Sequence, residues 1–391
     1  MAARVGKPGA GMKLSPGRMP QTTDAAMAAL SVRSMIESAQ RNAQRLDAAG
    51  KFPVEDIHCL RKAGLLQAVL PILLGGLGIG TEPAQATIAA EILQGLGEAS
   101  IAIGRIYEGH LNAVRLVMRL ANPAQRLAAA LNVRAGQLHA VWVTDGAEPL
   151  RYCPTANGIE LTGSKMPCSA AGFATRAVVT ARGPDNATRL LIIPLDRGEV
   201  ITSFDFALQG VRASATGRVD FPGIRHAEDT VFGLPDAYLN EPEFSTGAWR
   251  AAAIAAGAVS ALVTAATAEL VARGRADAAQ QADRLGRMLI HAQSAKLWIA
   301  HAAPIAEEAD ADPAYAVATV QLARTAIETA GLVVIQLVQR SLGLSALSQS
   351  NPIERMCRDL ATYLRQPAPD EAITLAAAYF AANPKRIGSS V

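Results

Sequence analysis

The sequence predicts an α+β protein with an N-terminal α-helical domain, a central antiparallel β-barrel or sandwich, and a C-terminal four-helix bundle. Up to about residue 136, the apolar residues recur with the helical period. Six short β-rich stretches then follow within about 90 residues, separated by Gly, Pro, Asn and Asp and by no helix. From about Phe244 the helical period returns and persists to Asn383. Strands without intervening helices indicate antiparallel pairing rather than parallel βαβ units.

These changes divide the 391 residues into four predicted segments, as expected for a chain of two or three domains. The segments are a disordered tail of residues 1–23, a helical domain of residues 24–136, a β domain of residues 137–235 and a helical bundle of residues 236–391. The tail is rich in Gly, Pro, Lys and Met and lacks the apolar stretch of a signal peptide.

Composition and charge narrow the class of protein. Half of the residues are apolar, which is enough for a large core, and the net charge of +3 is too balanced to predict a nucleic-acid partner. The four cysteines are scattered without a CxxC motif, so we expect reduced thiols in a cytoplasmic protein and no metal site. Residues 251–268 carry no charge but are mostly Ala, Gly, Ser and Thr, which favours a buried helix over a membrane span. We therefore expect a soluble protein with no membrane partner.

The predicted N-terminal helices have clear ends in the sequence. The second begins at Pro53 and ends at Gly64, and the others are predicted near residues 24–49, 83–97, 99–120 and 123–135. A glycine cluster at Gly75–Gly80 lies between them. Such clusters often bind phosphate, but no Lys follows and no βαβ unit surrounds this one, so a structural turn is the favoured interpretation.

The C-terminal bundle is predicted from long Ala-rich helices near residues 245–273, 277–309, 313–342 and 352–364. Asn351 is the expected N-cap of the last of these helices. Two oppositely charged pairs follow at i,i+4 spacing, Glu354 with Arg358 and Arg355 with Asp359. Pro367 and Pro369 end the helix, and another is expected from near Asp370 to about Ala382.

The run Pro-x-Glu-Arg-x-x-Arg-Asp at residues 352–359 resembles the C-terminal segment of acyl-CoA dehydrogenases. The order Gly64-Leu65, Leu70-Pro71 and Gly75–Gly78 resembles the stretch between the second and third helices of the same family. The resemblance covers roughly residues 25–385. It implies FAD bound between the β domain and the bundle, an acyl-CoA or acyl-carrier thioester as substrate, and a flavoprotein or oxygen as electron acceptor. It also implies a homodimer or homotetramer.

Two motifs of the β domain resemble the family's flavin-contact motifs. Val143 and Thr144 match a strand end whose backbone and threonine contact the flavin ring, although Glu148-Pro149-Leu150 replaces the Gly-Ser-Asp that normally follows. Ser169 matches a hydroxyl at the flavin N5 edge, with Pro167 in place of the shielding tryptophan. A hydroxyl that both donates and accepts suits a nitrogen whose protonation changes on reduction. The structural alternative for Thr144 is a β-branched residue that merely ends a strand.

Three more residues match cofactor-binding positions. Arg275 matches an arginine that reaches the FAD diphosphate of a neighbouring subunit, and an Arg fork suits a diphosphate. Arg340 stands where the family has a flavin-binding Gln, and Gly343 where it has the first of two glycines. A solvated arginine at a helix end is the alternative interpretation of Arg275.

The catalytic base that the resemblance implies is absent from both expected positions, which hold Pro367 and Arg250. Glu371 is the carboxylate nearest to the expected loop and is the candidate catalytic residue. It lies in the first turn of a predicted helix, where the dipole stabilises the anion and weakens it as a base. We therefore expect weak or absent activity on straight-chain acyl-CoAs.

Related flavin monooxygenases of the dibenzothiophene-monooxygenase type also lack the glutamate and use reduced flavin and oxygen. They tend to place a His after the Arg-Asp pair, where this chain has Tyr363 and Gln366. His110 is the histidine placed for such a role, with a structural core histidine as the alternative. Oxidation of an acyl thioester is thus the first hypothesis and monooxygenation the second. A non-catalytic binding protein of the same fold is the third.

Overall fold

The computed structural model describes residue 36 and residues 38–195, 198, 200–205, 207–308 and 312–387. The predicted tail of residues 1–23 lies outside the described residues, and so do residues 24–35 and 37 of the predicted first helix. The N-terminal part is helical, as predicted. Its helices are α1 (residues 38–49), α2 (Val54–Lys62), α3 (Leu65–Ala68), α4 (Ala86–Ala99), α5 (Ile101–Leu120) and α6 (Pro123–Arg134).

The central part is one eight-stranded sheet. Its strands are β1 (His139–Trp142), β2 (Arg151–Thr155), β3 (Gly158–Cys168), β4 (Arg176–Arg182), β5 (Thr188–Pro194), β6 (Ile201–Ser203), β7 (Gly217–His226) and β8 (Val231–Phe232). They lie in the order β6-β7-β3-β2-β4-β5-β8, with β1 beside β4. Most pairs are antiparallel, as expected, but β1 and β2 both run parallel to β4. The β2–β3 hairpin brings the chain back to the end of the sheet where β2 began, and β4 starts from that end and so runs parallel to β2.

The C-terminal part is helical again, which confirms the predicted fold class. Its helices are α7 (Glu243–Thr246), α8 (Ala248–Ala272), α9 (Ala279–Glu307), α10 (Pro313–Leu342), α11 (Pro352–Tyr363) and α12 (Pro369–Ala382). The side chain of Asn351 caps α11 by accepting from the Ile353 amide at 3.0 Å. The chain changes from helix to strand and back to helix near the predicted domain boundaries. The division into separate domains stays a prediction.

Two helical stretches of the described residues, Glu243–Ala272 and Pro313–Leu347, are long and apolar enough to cross a membrane by length and composition alone. The most apolar window of the first is 67% buried inside the protein. A core helix of this kind passes the same test, so the two stretches are weak evidence for a membrane partner.

The helices α4 and α8 cross at glycines, and this crossing packs the N-terminal helices against the C-terminal bundle. A methyl group on Gly97 would overlap the Ile254 carbonyl, and one on Gly257 would overlap the Gln94 carbonyl. Each glycine therefore lies against the backbone of the other helix. Small residues in α8 allow this approach, which is consistent with the alanine-rich run seen in the sequence.

Gly257→Ala is expected to lower the free energy of unfolding by about 1–3 kcal/mol, because the added methyl group meets backbone that has no room to yield. Gly286→Ala is the matched control, since Gly286 also lies inside a helix but a methyl group there meets nothing within 4 Å. The control is expected to be neutral or stabilising by up to about 1 kcal/mol, through helix propensity alone. Urea unfolding of both variants tests this, and equal midpoints would contradict the close crossing.

Candidate active site

A buried lysine fixes the segment after β1, where the flavin-contact residues Val143 and Thr144 are predicted. Lys165 of β3 is 1% exposed, and its Nζ donates to the Val143 carbonyl at 2.8 Å and to Asp145 Oδ1 at 2.6 Å. Burial lowers the pKa of the Lys165 ammonium group, and the hydrogen bond to Asp145 opposes that effect. The Met166 amide donates to the Thr144 carbonyl at 3.1 Å. The backbone is therefore held at both predicted positions, while the Thr144 side chain is exposed.

Ser169 follows β3 and joins the β domain to α5. Its hydroxyl accepts from Arg105 Nε at 3.2 Å and shares a hydrogen bond with Thr216 Oγ1 at 3.2 Å. Thr216 in turn is 2.7 Å from Ser214 Oγ, and the Trp142 indole donates to the Ser169 carbonyl at 3.0 Å. The predicted flavin-contact hydroxyl thus belongs to a row of hydroxyl groups with a guanidinium at one end.

An apolar cavity of about 500 Å³ reaches the same row of hydroxyl groups. Thr216 lies in its wall, one hydrogen bond away from Ser169. Aromatic side chains contribute much of the remaining wall, namely Phe52, Phe173 and Phe204, and the cations Lys51 and Arg212 also line it. Apolar aromatic space therefore adjoins the polar groups of the site.

A chain of hydrogen bonds continues from Arg105 into the helices. The Arg105 guanidinium forms an ion pair with Glu108, one turn further along α5. Asn112 donates to the other Glu108 oxygen at 2.5 Å and accepts from Arg250 Nε of α8 at 2.5 Å. Arg250 Nη1 donates to Glu307 of α9 at 2.6 Å. The two carboxylates in this series of hydrogen bonds, Glu108 and Glu307, are bound by nitrogen donors, so neither is a free base.

Two tyrosines from different elements lie within electrostatic reach of the Arg105–Glu108 pair. Tyr363 ends α11 and is 7% exposed, and Tyr238 lies in the segment before α7. Burial raises the pKa of both phenols, and the charges of Glu108 and Arg105 reach both. Both hydroxyls therefore stay protonated at neutral pH, so each carries a proton that it can donate.

The predicted residues Arg275, Arg340 and Gly343 lie at the ends of the bundle helices. Arg275 is exposed in the turn between α8 and α9, and Gly343 follows α10 with a left-handed φ of 62°. Arg340 lines a cavity of about 450 Å³ together with two more arginines, Arg284 and Arg287. No hydrogen bond or ion pair among the described residues joins these predicted residues to Ser169. Their proposed contact with a flavin stays a prediction.

The positions expected for a base hold no free carboxylate. The Pro367 carbonyl accepts from the Arg324 guanidinium, and Arg250 is bound to Asn112 and Glu307. The candidate base Glu371 has an exposed side chain in the first turn of α12. Its catalytic role stays a prediction.

His110 is part of the core of the N-terminal domain. Its Nδ1 accepts from the His139 amide at 3.0 Å, and its Nε2 donates to the Leu66 carbonyl at 2.9 Å. Burial lowers the pKa of His110 to about 4. Both ring nitrogens are therefore used within the fold, as the structural interpretation of this residue expects.

Arg105 and Glu108 are functional candidates that the motif comparison missed. They lie with Asn112 at helical spacing on α5, a helix whose other residues are largely apolar and buried. A polar stripe on an otherwise buried helix is the signal that identifies them. Ser169, the partner of Arg105, is identified by its motif, whereas no pattern in the sequence indicates that Arg250 of α8 contacts Asn112.

Comparisons with known proteins place this geometry in a known fold. No family model matches the sequence. Over 223 residues the chain is 26% identical to dibenzothiophene monooxygenase of Rhodococcus erythropolis, and the match covers 53% of this chain and 51% of that protein. The chain thus spans about half the length of the curated relatives that it matches.

Two solved structures align over nearly the whole chain. Dibenzothiophene monooxygenase TdsC of Paenibacillus sp. A11-2, solved with FMN and indole, has a TM-score of 0.80 at 18% identity, covering 91% of this chain and 97% of that one. Butyryl-CoA dehydrogenase of Megasphaera elsdenii has a TM-score of 0.81 at 14% identity, covering 93% and 100%. The chain therefore has the acyl-CoA dehydrogenase fold, as the resemblance predicted, and shares it with monooxygenases and dehydrogenases.

Proposed function

We propose that this chain is a flavin-dependent monooxygenase that uses reduced flavin and oxygen. The observation that carries the proposal is the environment of Ser169, which contains a guanidinium donor and no free carboxylate. Arg105 donates to the Ser169 hydroxyl, and the Tyr363 hydroxyl lies within electrostatic reach of Arg105. The carboxylate of Glu108, in contrast, is bound by Arg105 and Asn112. Donors stabilise negative charge that develops on oxygen, and a site without a free carboxylate lacks the base for removing a proton from carbon.

The residues present fit a flavin at the junction of the β domain and the bundle. The Thr144 side chain is exposed while its backbone is held in place, so it can contact the flavin ring. The Ser169 hydroxyl can form a hydrogen bond with the edge of that ring. The cluster of Arg284, Arg287 and Arg340, in which Asp283 pairs with Arg287, suits the phosphate of FMN or the diphosphate of FAD held mainly by another chain. Bound reduced flavin would supply the two electrons that divide dioxygen between an oxygenated product and water.

The residues of this chain would then hold and shield the reacting groups. Arg105 and Thr216 orient the Ser169 hydroxyl, and the Lys165–Asp145 pair fixes the strand end beside it. The helix α5 covers the site with buried side chains and thereby limits the access of water.

A homodimer or homotetramer is part of the proposal, because Arg275 and Arg340 lie away from Ser169 and suit a cofactor held mainly by another chain. Exposed apolar side chains on α9, Leu289, Ile290 and Leu297, give such an assembly a surface. FAD or FMN is proposed as the cofactor because the arginine cluster suits either, and a cytoplasmic location is proposed because the four cysteines are free thiols. Light scattering of flavin-loaded protein tests the assembly, and a monomer would contradict it.

A dehydrogenase acting on an acyl thioester is the second candidate. The retained Thr144 and Ser169 favour it, since both match positions of that family. It requires a base for the proton on the carbon next to the carbonyl, for which Glu371 is the candidate.

A measurement of oxygen transfer distinguishes the monooxygenase from the dehydrogenase. The protein, loaded with FMN or FAD, is supplied with NADH, a flavin reductase and ¹⁸O₂, with indole and indole-3-carboxylate as probes. Incorporation of one labelled oxygen atom into a probe is expected, and it should fall at least about tenfold in Ser169→Ala. Ser350→Ala, at an exposed position, is the control. A flavin-loaded protein that transfers no labelled oxygen but reduces its flavin with an acyl-CoA would contradict the proposal.

A further inference from the structure

We infer that the substrate carries a hydrogen-bond-accepting oxygen, a carbonyl or a carboxylate, which Tyr363 Oη and the Arg105 guanidinium bind beside Ser169. The inference rests on the proposed function, because it takes Ser169 to mark the reacting centre. It gives the substrate a chemical class that differs from a purely apolar heterocycle.

Tyr363 supplies the first observation. Its hydroxyl is buried and has no hydrogen-bond partner among the described residues, although the residue is only 7% exposed. Buried hydroxyl groups in folded proteins nearly always have a partner, and leaving one unpaired costs free energy. An unpaired donor at the edge of a candidate active site therefore indicates that a ligand atom completes it.

Arg105 supplies the second observation. Its Nε is used by Ser169 and its Nη1 by Glu108, while no described residue accepts from Nη2. The side chain is 29% exposed, so the fold leaves part of it uncovered. Tyr363 lies on α11, which contacts α5, and it is within electrostatic reach of Arg105. The two unused donors therefore belong to helices that contact each other.

The acceptors of this region, in contrast, are already used. Glu108 accepts from Arg105 with one oxygen and from Asn112 with the other, and Asn112 accepts from Arg250. An ammonium ligand would have to share these oxygens with their present donors, and it would lie close to the Arg105 cation, which repels it. A ligand oxygen satisfies the unused donors, whereas a purely apolar ring would leave the Tyr363 hydroxyl unpaired.

The charges of Arg105 and Glu108 allow the site to bind either a carbonyl or a carboxylate. Glu108 balances Arg105, so the site imposes no requirement for a full negative charge. An anion would still be bound more tightly, since hydrogen bonds to charged acceptors are the stronger ones. Both groups present an oxygen acceptor. A probe with a carbonyl and a probe with a carboxylate distinguish the two.

Equilibrium binding to the flavin-loaded protein tests the inference without measuring turnover. The probes are indole, 3-acetylindole and indole-3-carboxylate, which differ at one substituent, and calorimetry gives each Kd. At least one oxygen-bearing probe is expected to bind about tenfold more tightly than indole. Tyr363→Phe should weaken 3-acetylindole roughly 3- to 10-fold and indole-3-carboxylate about tenfold or more, with indole unchanged.

Tyr107→Phe is the matched control on α5. The Tyr107 hydroxyl donates to the Leu65 carbonyl at 3.1 Å inside the N-terminal domain, so this variant loses a buried hydrogen bond away from the site. Its preference among the probes should equal that of the unmodified protein. If Tyr363→Phe does not fold, the inference is tested by whether the unmodified protein binds an oxygen-bearing probe more tightly than indole.

Three outcomes separate this inference from the proposed function. Equal affinity for the three probes would overturn the inference even if labelled oxygen is transferred to indole. A preference that survives Tyr363→Phe unchanged would overturn the assignment of Tyr363. A preference that Tyr363→Phe removes, in a protein that transfers no oxygen, would support the binding assignment and contradict only the proposed reaction.

Discussion

Replacing Glu307 by Gln is expected to lower the free energy of unfolding by about 3–5 kcal/mol, because the change leaves two buried guanidinium groups without their shared counter-charge. Glu307 ends α9 with a side chain that is 7% exposed. It accepts from Arg115 at 3.1 Å, from Arg250 at 2.6 Å and from the Trp249 indole at 2.9 Å. Arg115 retains Glu243, but Arg250 retains only the amide oxygen of Asn112.

The same carboxylate contributes to the acid sensitivity of the fold. Burial raises the pKa of Glu307, but Arg115 and Arg250 lower it by more, so the net pKa lies below its ordinary value. A carboxyl group with a depressed pKa in the folded state stabilises the protein fully above its unfolded pKa of about 4.3. That contribution is lost as the pH falls through the folded pKa. Glu307→Gln should therefore flatten the dependence of stability on pH below about 4.3.

Glu308→Gln is the matched control, since Glu308 is the next residue and its side chain is exposed. Its cost is expected to stay within about 0.5 kcal/mol. Urea unfolding at pH 7 and at several acidic pH values measures both effects. A Glu307→Gln variant as stable as the control would show that Arg115 and Arg250 find other partners or water.

Local sequence patterns predicted the elements and the local ion pairs but not the long-range contacts. Glu354–Arg358 and Arg355–Asp359 were predicted from i,i+4 spacing and are confirmed, each at 2.8 Å. Arg358 also binds Asp47 at 2.6 Å, across 311 residues of sequence. Helical periodicity indicates which face is buried, but it does not indicate which polar groups on two distant faces meet.

The same limit applies to the candidate site. Thr144 and Ser169 were found because a motif surrounds each of them, whereas Arg105 was not, because its contact with Ser169 spans 64 residues. Arg250 was placed by alignment as a residue that replaces a base. Only the structure shows that Asn112 and Glu307 bind it, and both lie on other helices.

Anaerobic mixing of the flavin-loaded protein with straight-chain saturated acyl-CoAs is expected to bleach the flavin absorption band about 10²–10⁴-fold more slowly than in a dehydrogenase with a positioned base. The reaction requires a base at the carbon next to the carbonyl. Pro367 has no ionisable side chain, and Arg250 is a cation that is bound to Asn112 and Glu307. Glu108 is the carboxylate linked to Ser169 through Arg105, and two donors already occupy it.

Glu371 remains the carboxylate to be tested in this reaction. Its side chain is exposed in the first turn of α12, where the helix dipole stabilises the anion and weakens the base. Stopped-flow absorbance compares the unmodified protein with Glu371→Gln and with Pro367→Glu, which puts a carboxylate where the dehydrogenases of this fold carry one. Slow bleaching that only Pro367→Glu accelerates is the expected result. Rapid bleaching that Glu371→Gln abolishes, with flavin still bound, would identify Glu371 as the base and make the chain a dehydrogenase. Rapid bleaching that survives Glu371→Gln would place the base elsewhere and equally contradict the monooxygenase proposal.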